Sequence, residues 1–221
     1  MHTTPFSEKD GPGRSLQAVV DLVKETGADM LLVAGDVFDH NKVIDELVYG
    51  ALQEFARAEV PVILLPGNHD CLQEETVYRR LIPNLAANCR VLYDPLGESL
   101  SFPDLDLGVW GQPLLDYGGP QRPLGVVPQR GPERWQIAMA HGHYVGDSDN
   151  KDRSFLISRD EVLATGRDYV ALGHWDRFFP AVEETVPAFY SGAPLHTRAT
   201  LLVELHHRDG VSVKQVPLTI T

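Results

Sequence analysis

The chain has 221 residues, and its 31 acidic and 19 basic side chains give a formal net charge of −12. This charge argues against a broad basic groove for duplex nucleic acid, and a hydrophobic fraction of 43% excludes a mainly disordered chain. No apolar run is long enough to span a bilayer. Cys71 and Cys89, without a CxxC spacing, favour a reduced cytoplasm, although the two thiols could still form a bridge. The length predicts a single domain over residues 1–221 without a separate capping domain.

The first half of the chain alternates between helical and strand patterns. A helix is predicted from Ser15 to Thr26, with Ser15 as N-cap and Gly27 as its stop, followed by a strand from Met30 to Ala34. A second helix is predicted from Val43 to Ala58 and a second strand from Val62 to Leu65. The inward face of the second helix is expected to consist of Ile44, Leu47, Val48, Ala51, Leu52 and Phe55. This order predicts parallel βαβ units with right-handed crossovers.

The second half is richer in strand patterns. Glycine and proline are dense from Pro95 to Pro132, which indicates either a functional loop or a surface excursion of no consequence. Short apolar runs predict strands at Leu107–Trp110, Ile137–Ala140 and Tyr169–Leu172. Alternating residues on both sides of Asp209-Gly210 predict a β-hairpin that closes a sheet. We therefore expect a core of two sheets with helices outside.

Four short polar clusters stand directly after apolar runs that have the length of buried strands. Each cluster contains aspartate, asparagine or histidine, whose side chains supply oxygen or imidazole ligands. Strands that end in such residues would bring them to one edge of a sheet and assemble a divalent-metal centre from distant parts of the sequence. The clusters are Gly35-Asp36-Val37-Phe38-Asp39, Gly67-Asn68-His69-Asp70, His141-Gly142-His143 and Gly173-His174-Trp175-Asp176.

Asp36 and Asp39 form the first candidate group. Gly35 permits a sharp turn, so the Asp36 carboxylate can project from the strand end and bridge two cations. Asp39, three residues further along, is better placed to orient a neighbouring side chain by a hydrogen bond. Considered alone, Asp36 is explained equally well as the cap of the following helix.

Asn68, His69 and Asp70 are a stronger indication. The side-chain carbonyl of Asn68 suits Mn²⁺, Mg²⁺ or Fe²⁺ in a mixed shell of oxygen and imidazole ligands. His69 could act as a general acid, with Asp70 holding its tautomer. The alternative is an ordinary polar turn, because Gly-Asn is a common turn pair.

Histidines complete the pattern. His141 ends an apolar strand, His174 follows a strand and a glycine, and His143 would share the side of His141 if the strand continued. A lone histidine in such a place is more often a hydrogen-bonded core residue than a ligand, but all clusters together in this order are hard to explain as coincidence. We expect three other histidines to be solvated surface residues: His196, His206 and His207. Three arginines could contact phosphate, but isolated arginines are usually solvated: Arg153, Arg159 and Arg177.

Taken together, these motifs resemble the calcineurin-like metallophosphoesterases. That family carries, in order, D-x-H, G-D-x-x-D, G-N-H-[DE], a strand-terminal His and G-H-x-H, and four of the five are recognisable here over nearly the whole chain. Within the family, three segments look like the SbcD-like branch of DNA-repair exonucleases. They are residues 34–39, residues 169–174 and the run Tyr190-Ser191-Gly192-Ala193-Pro194.

The resemblance implies a four-layer α/β/β/α sandwich of two mixed sheets flanked by helices, with a dinuclear metal centre. Asp36 would bridge both ions, and Asn68, His141 and His174 would complete one of the two sites. Mn²⁺ is the first choice of ion, with Fe, Mg²⁺ and Zn²⁺ as alternatives.

The resemblance also implies the chemistry. A bridging hydroxide would attack phosphorus in line, while His69, with Asp70 behind it, would protonate the leaving oxygen or stabilise the transition state. His143 and Asp39 would support the ligands from outside the metal shell.

The sequence departs from the family pattern at two motifs that serve the same metal position. No D-x-H motif and no strand precede the first helix, and His2 stands about where that histidine belongs. Either the natural reading frame starts upstream of Met1 or the strand is truly missing. Asp176 stands where the last motif has histidine, and aspartate can still ligate Mn²⁺ or Mg²⁺. We therefore predict one firm metal site and one weakened site that depends on His2 and Asp176.

The sequence thus predicts a cytoplasmic, metal-dependent phosphoesterase, nuclease-like in cleaving phosphodiester bonds. The alternatives are a phosphomonoesterase or small-nucleotide phosphodiesterase, and a degenerate relative that binds metal without turnover. The expected partner is the phosphoester substrate, which could be a nucleic acid, with no membrane. A third alternative is a structural subunit of a repair complex, which could bind an SbcC-like ATPase. The sequence shows no coiled coil or apolar patch for such a partner.

Overall fold

The computed structural model describes residues 13–146 and 152–220. Its helices are α1 (Arg14–Thr26), α2 (Asp45–Arg57), α3 (Tyr78–Leu81), α4 (Arg159–Ala164) and α5 (Pro194–Thr197). Its strands are β1 (Leu31–Ala34), β2 (Val62–Leu65), β3 (Cys89–Val91), β4 (Glu98–Phe102), β5 (Leu107–Gly111), β6 (Trp135–His141), β7 (His143–Val145), β8 (Leu156–Ser158), β9 (Tyr169–Gly173), β10 (Phe179–Val182), β11 (Ala188–Tyr190), β12 (Ala199–His206) and β13 (Gly210–Pro217). None of the helices in these ranges is long and apolar enough to cross a membrane.

The first half of the chain folds as predicted, apart from two helix ends. β1, β2 and β3 form a parallel sheet in that order, and α1 ends at Gly27 with a left-handed backbone (φ 64°). The prediction of Ser15 as N-cap is wrong, because α1 begins one residue earlier, with Gly13 at the N-cap, and Ser15 is fully buried in the first turn. The inward placement of Ile44 is also wrong. Ile44 is the N-cap of α2, outside the helical repeat, and is 54% exposed.

The second sheet has six strands in the order β10-β11-β9-β6-β5-β4. β11, β9, β6 and β5 run parallel to one another, whereas β10 and β4 are antiparallel edge strands. β5, β6 and β9 contain the three predicted strands of the second half. The expected mixed character holds for this sheet, while the three-stranded sheet is parallel in its described part.

Side chains alternate across the central strands and so define the layers. Val62 and Leu64 of β2 pack with α2 in one core, whereas Ile63 and Leu65 pack against the six-stranded sheet in another. The far face of the six-stranded sheet is covered by a third core that includes Val162 of α4. From one side of the molecule to the other, the layers are helices including α2, the three-stranded sheet, the six-stranded sheet and α4. The predicted four-layer α/β/β/α arrangement is therefore confirmed.

β12 and β13 form the predicted hairpin, paired from Ala199↔Pro217 to His206↔Gly210. We expected it to close a sheet, but within residues 13–146 and 152–220 the two strands pair only with each other. Their apolar side chains pack instead against the core between the two sheets. These side chains are Val203, Leu205, Val211 and Val213.

Candidate metal centre

The polar clusters after β1, β2, β6 and β9 meet where the carboxyl ends of the two sheets converge. His141, the last residue of β6, is paired in register with Gly173, the last residue of β9. A Cβ at Gly35 (φ 91°) would collide with the His141 ring, and a Cβ at Gly173 would collide with the carbonyl oxygen of Ala34. Glycine at these two positions therefore lets the sheets approach closely enough for side chains from both to share one ion.

Four candidate ligands lie within contact distance of one another. The side-chain oxygen Oδ1 of Asn68 lies 3.0 Å from Nε2 of His141 and 3.0 Å from Nδ1 of His174. Oδ2 of Asp36 lies 3.1 Å from Nε2 of His141. One ligand atom each from Asp36, His141 and His174 fall within 4.8 Å of one another. The fold thus brings together the four residues that the sequence assigned to the firm metal site.

The tautomer of His141 explains why this arrangement fits a cation. Nδ1 of His141 lies 2.8 Å from the carbonyl oxygen of Ala34, which can only accept, so Nδ1 carries the proton. In the neutral ring Nε2 then presents a lone pair, and it faces the oxygens of Asp36 and Asn68. A lone pair and two oxygen acceptors repel one another unless a positive charge lies among them, either a proton on Nε2 or a bound cation. The set of two imidazoles, an amide oxygen and a carboxylate matches the preferences of first-row divalent ions.

The electrostatics of the buried groups point the same way. Burial favours the neutral form of Asp36, but His141 and His69 outweigh it and lower the pKa of this carboxyl to about 2. Burial of His141 disfavours its charged form, yet the Asp36 carboxylate raises its pKa above the ordinary value. The centre therefore holds a fixed negative charge and stabilises positive charge beside it.

Two of the candidate ligands occupy unusual backbone conformations. Asp36 has φ 54° and His174 has φ 106°, both in the region that side-chain-bearing residues rarely adopt. Such conformations persist only where the surrounding structure enforces them, and they concentrate at functional sites. In this chain they turn the side chains of the residues after β1 and β9 towards each other.

Asp70 is a clamp for the loop after β1. It is fully buried and accepts hydrogen bonds from the backbone N–H groups of residues 36–38 at 2.8 to 3.3 Å, from that of Gly67 at 2.7 Å and from the Tyr78 hydroxyl at 3.0 Å. Burial and the nearby Asp36 carboxylate raise its pKa to about 6. The expected contact, in which Asp70 holds the tautomer of His69, is replaced by these backbone contacts because the carboxylate points into the loop.

His69 is oriented from another direction. Its Nδ1 lies 3.0 Å from the backbone carbonyl oxygen of Asp39, and its backbone N–H donates to Oδ1 of Asp36 at 2.9 Å. Since a carbonyl only accepts, Nδ1 carries a proton and Nε2 is the nitrogen that gains or loses one. The sequence assigned the orienting role to Asp39 in general terms, and for His69 the backbone of Asp39 performs it.

Trp175 and Tyr78 support the centre and were not assigned roles from the sequence. The indole Nε1–H of Trp175 donates to Nδ1 of His143 at 3.1 Å, and the His143 ring lies edge-on to His174 with centroids 6.1 Å apart. Trp175 could have been suspected from its position directly after His174. No sequence pattern around Tyr78 indicates its role, because its contact with Asp70 depends on how α3 packs.

The weakened metal position is less well assembled. A cavity of about 130 Å³ lies between β1 and the segment 191–194, and Asp36, His141, His174 and Asp176 line it. Asp176 does not join the converging ligand atoms of the described residues. Its Oδ2 lies 3.4 Å from Nδ1 of His196, a residue that we expected to be free at the surface. The other predicted ligand of this position, His2, lies outside the described residues.

The chain is similar in sequence to a known family and in fold to a solved structure. The sequence profile of a family described as calcineurin-like phosphoesterase matches residues 1–177. The crystal structure of TT1561 of Thermus thermophilus aligns with a TM-score of 0.60 at 13% identity, covering 97% of this chain and 96% of that one. A structure described as a novel archaeal phosphodiesterase covers 92% of both chains with a TM-score of 0.49 at 14% identity. No curated protein matches the chain. At such low identity the solved structures show similarity of fold alone.

Proposed function

This chain belongs to the calcineurin-like phosphoesterase family, and from that premise we propose that it hydrolyses phosphodiester bonds in a metal-dependent, nuclease-like reaction. The observation that carries the proposal is the convergence of ligand atoms from both sheets within 4.8 Å, beside a histidine whose proton-bearing atom is defined. No other group of three histidine, cysteine or acidic side chains in the described part of the chain converges in this way.

Asp36, Asn68, His141 and His174 would hold the ion. A divalent ion bound there stabilises charge on phosphoryl oxygens and lowers the pKa of water. The Ala34 carbonyl keeps Nε2 of His141 available as a ligand atom. We propose Mn²⁺ because it accepts carboxylate and amide oxygens together with imidazole.

His69 would act as the general acid. Its Nδ1–H is engaged with the carbonyl of Asp39, so a proton delivered to the leaving oxygen comes from Nε2. Its backbone N–H also holds Oδ1 of Asp36, so proton donor and ligand are fixed relative to each other. This coupling supports a role in catalysis beyond binding of the ion.

A diester substrate is supported by the segment after β11. The run Tyr190-Ser191-Gly192-Ala193-Pro194 resembles the SbcD-like exonuclease branch, and its residues 191–194 line the cavity beside the candidate ligands. The net charge of −12 favours short or single-stranded substrates over a long duplex, because a duplex would meet broad electrostatic repulsion.

The test compares Mn²⁺-dependent hydrolysis of bis(4-nitrophenyl) phosphate, a diester, and 4-nitrophenyl phosphate, a monoester. We expect Mn²⁺-dependent turnover with the diester preferred. His69→Ala should lower kcat by about a hundredfold or more while Mn²⁺ binding is retained. His206→Ala, at an exposed histidine of the hairpin, is the matched control and should behave as wild type. Absence of Mn²⁺-dependent hydrolysis of the diester would contradict the proposal, whether or not the monoester is hydrolysed.

A second candidate function is a binding protein that holds one ion and a phosphorylated ligand without turnover. The pairing of Asp176 with His196, away from the converging ligand atoms, favours it. Tight binding of Mn²⁺ and inorganic phosphate with no hydrolysis of either ester would select this alternative.

A further inference from the structure

Resting on the proposed function, we infer that Arg177 binds a second phosphate of the substrate, and so gives this centre a preference for nucleosides that carry two phosphates. Arg177 lies in the loop between β9 and β10, three residues after the candidate ligand His174. From the sequence, Arg177 was one of three arginines that could contact phosphate, although we expected it to be a solvated surface residue.

The guanidinium of Arg177 is held over an aromatic ring. Its Cζ lies 5.2 Å from the centroid of Trp175, a cation–π geometry. Tyr190 stacks on Trp175 with centroids 4.8 Å apart and 12° between the ring planes. The guanidinium of Arg177 and the ring of Tyr190 thus both lie against the indole of Trp175.

Trp175 is itself a rigid support. Phe179 packs against it at 4.7 Å between centroids, and the indole N–H is bound to His143. The buried hydroxyl of Tyr190 donates to the carbonyl of Gly142 at 2.7 Å and accepts from the N–H of Tyr144 at 2.9 Å. The arginine therefore rests on a platform that is anchored to the strands of the metal centre, which reduces the conformational freedom lost on binding an anion.

The position suits a phosphate next to the reacting one. Trp175 directly follows His174, and the ring of His143 lies close to both side chains. The centroid of the His143 ring is 5.3 Å from that of Trp175 and 6.1 Å from that of His174. The backbone N–H of Ala193 donates to the carbonyl of Asp176 at 3.1 Å, which ties the loop of Arg177 to a wall of the cavity. An extended nucleoside with one phosphate at the ligands can present its other phosphate to this loop.

The charge of Arg177 is also available. Five other arginines of the described chain form salt bridges with carboxylates: Arg57, Arg80, Arg122, Arg130 and Arg159. Arg177 is exposed and, like the eight remaining arginines of residues 13–146 and 152–220, forms no salt bridge within these ranges. A guanidinium presents several N–H donors in one plane, which suits a phosphate group.

The test measures binding rather than turnover. Dissociation constants for thymidine 3′-phosphate and thymidine 3′,5′-bisphosphate are determined by calorimetry with the Mn²⁺-loaded protein. We expect the bisphosphate to bind about tenfold more tightly to wild type, the scale of one charge-assisted hydrogen bond at an exposed site. Arg177→Gln should reduce this ratio to about one, and Arg177→Lys should leave an intermediate ratio because the charge remains without the planar donors.

Arg134→Gln is the matched control. Arg134 lies over Trp135 at 5.4 Å, the same cation–π arrangement, but at the start of β6, whereas His141 is at its end. The tenfold ratio should therefore persist in Arg134→Gln. A ratio near one in wild type, a ratio preserved in Arg177→Gln, or failure of both ligands to bind overturns the inference. Equal weakening of both ligands by Arg177→Gln also overturns it, since it would indicate contact with the base or sugar.

Failure of the proposed function gives a different result. Hydrolysis of bis(4-nitrophenyl) phosphate reports on that function alone, because this ester has a single phosphate. A protein that does not hydrolyse it but distinguishes the two thymidine ligands keeps Arg177 as a phosphate-binding residue and loses the enzymatic proposal.

Discussion

The two sides of the cavity differ in how their side chains are held. On one side Asp36, Asn68, His141 and His174 lie at or just after the carboxyl ends of four strands, and their ligand atoms converge. On the other side Asp176 lies in a loop, with its side chain 40% exposed and its carboxylate paired with His196 of the short helix α5. The first set is positioned by two sheets and the second by local loop contacts.

This difference indicates what a metal position requires. Sheet register fixes strand ends relative to one another, as in the pairing of His141 with Gly173, so ligands there are preorganised. A half-exposed carboxylate that already has a partner loses both that contact and its hydration when it turns to an ion. We therefore expect one ion to bind tightly and a second to bind weakly, and the following experiments test that contrast from the largest expected effect to the smallest.

Removal of a ligand from the preorganised side should have the largest effect. His141→Ala is expected to weaken Mn²⁺ binding by more than about a hundredfold. The reason is that loss of a metal ligand should weaken binding more than loss of a residue that only hydrogen-bonds to a ligand. Calorimetric titration of the metal-free protein measures it. His207→Ala, at an exposed histidine, serves as the control, and Mn²⁺ affinity preserved in His141→Ala would refute the ligand assignment.

A substitution at Gly173 tests whether the metal centre requires the close approach of the two sheets. In Gly173→Ala the new Cβ meets the carbonyl oxygen of Ala34, the same oxygen that orients His141. We expect a loss of about 1–3 kcal/mol in the free energy of unfolding, together with weaker Mn²⁺ binding. Urea denaturation measures the first quantity and calorimetry the second.

Gly119→Ala is the control for this substitution, because no atom lies within 4 Å of the added Cβ. Equal stability of the two alanine variants would show that the sheets can separate without penalty, and the preorganised side would lose its structural explanation.

The Asp70 clamp should contribute less to Mn²⁺ binding than a metal ligand does. Tyr78→Phe removes one donor from a fully buried carboxylate, and we expect a loss of about 1–3 kcal/mol in the free energy of unfolding. Mn²⁺ affinity should fall by about tenfold, since the loop that carries Asp36 is supported less firmly. Thermal and urea denaturation are compared with Tyr49→Phe, at a tyrosine of α2 that is 53% exposed. Unchanged stability would mean that the backbone donors of Asp70 suffice.

The smallest effect is expected on the loop side. Asp176→Asn should change the dissociation constant of the tightly bound ion by less than about threefold, because the carboxylate is partly exposed and screened. Metal analysis after gel filtration should give about one Mn²⁺ per wild-type chain. Two equally tight ions, or loss of the tight ion in Asp176→Asn, would remove the contrast between the two sides.

Much of the site could be predicted because its signals are local. An apolar run followed by glycine and a polar residue marks a strand end at Asp36, Asn68 and His174, whichever sheet the strand joins. The partners of these side chains were not predictable in the same way. Asp70 was expected behind His69, but its contacts with residues 36–38 depend on a left-handed turn at Asp36 that no sequence pattern specified.

The misassigned helix ends have a similar cause. Ser15 and Gly13 are both acceptable N-caps by residue type, and burial of Ser15 in the packed layer selected Gly13.

The helix α4 was not predicted from the sequence. It is only six residues long, which is too short for a convincing apolar repeat, although Ser158 and Glu161 form a capping box at its start.

The sequence by itself determined where the buried strands lie, which residue types follow them and in what order, because hydrophobic periodicity and turn chemistry act over a few neighbouring residues. Only the tertiary structure decided that Asn68 contacts both His141 and His174, that Tyr78 supports Asp70, and that Asp176 faces His196. These pairings depend on the separation of segments far apart in the chain, and that separation is set by sheet register and layer packing.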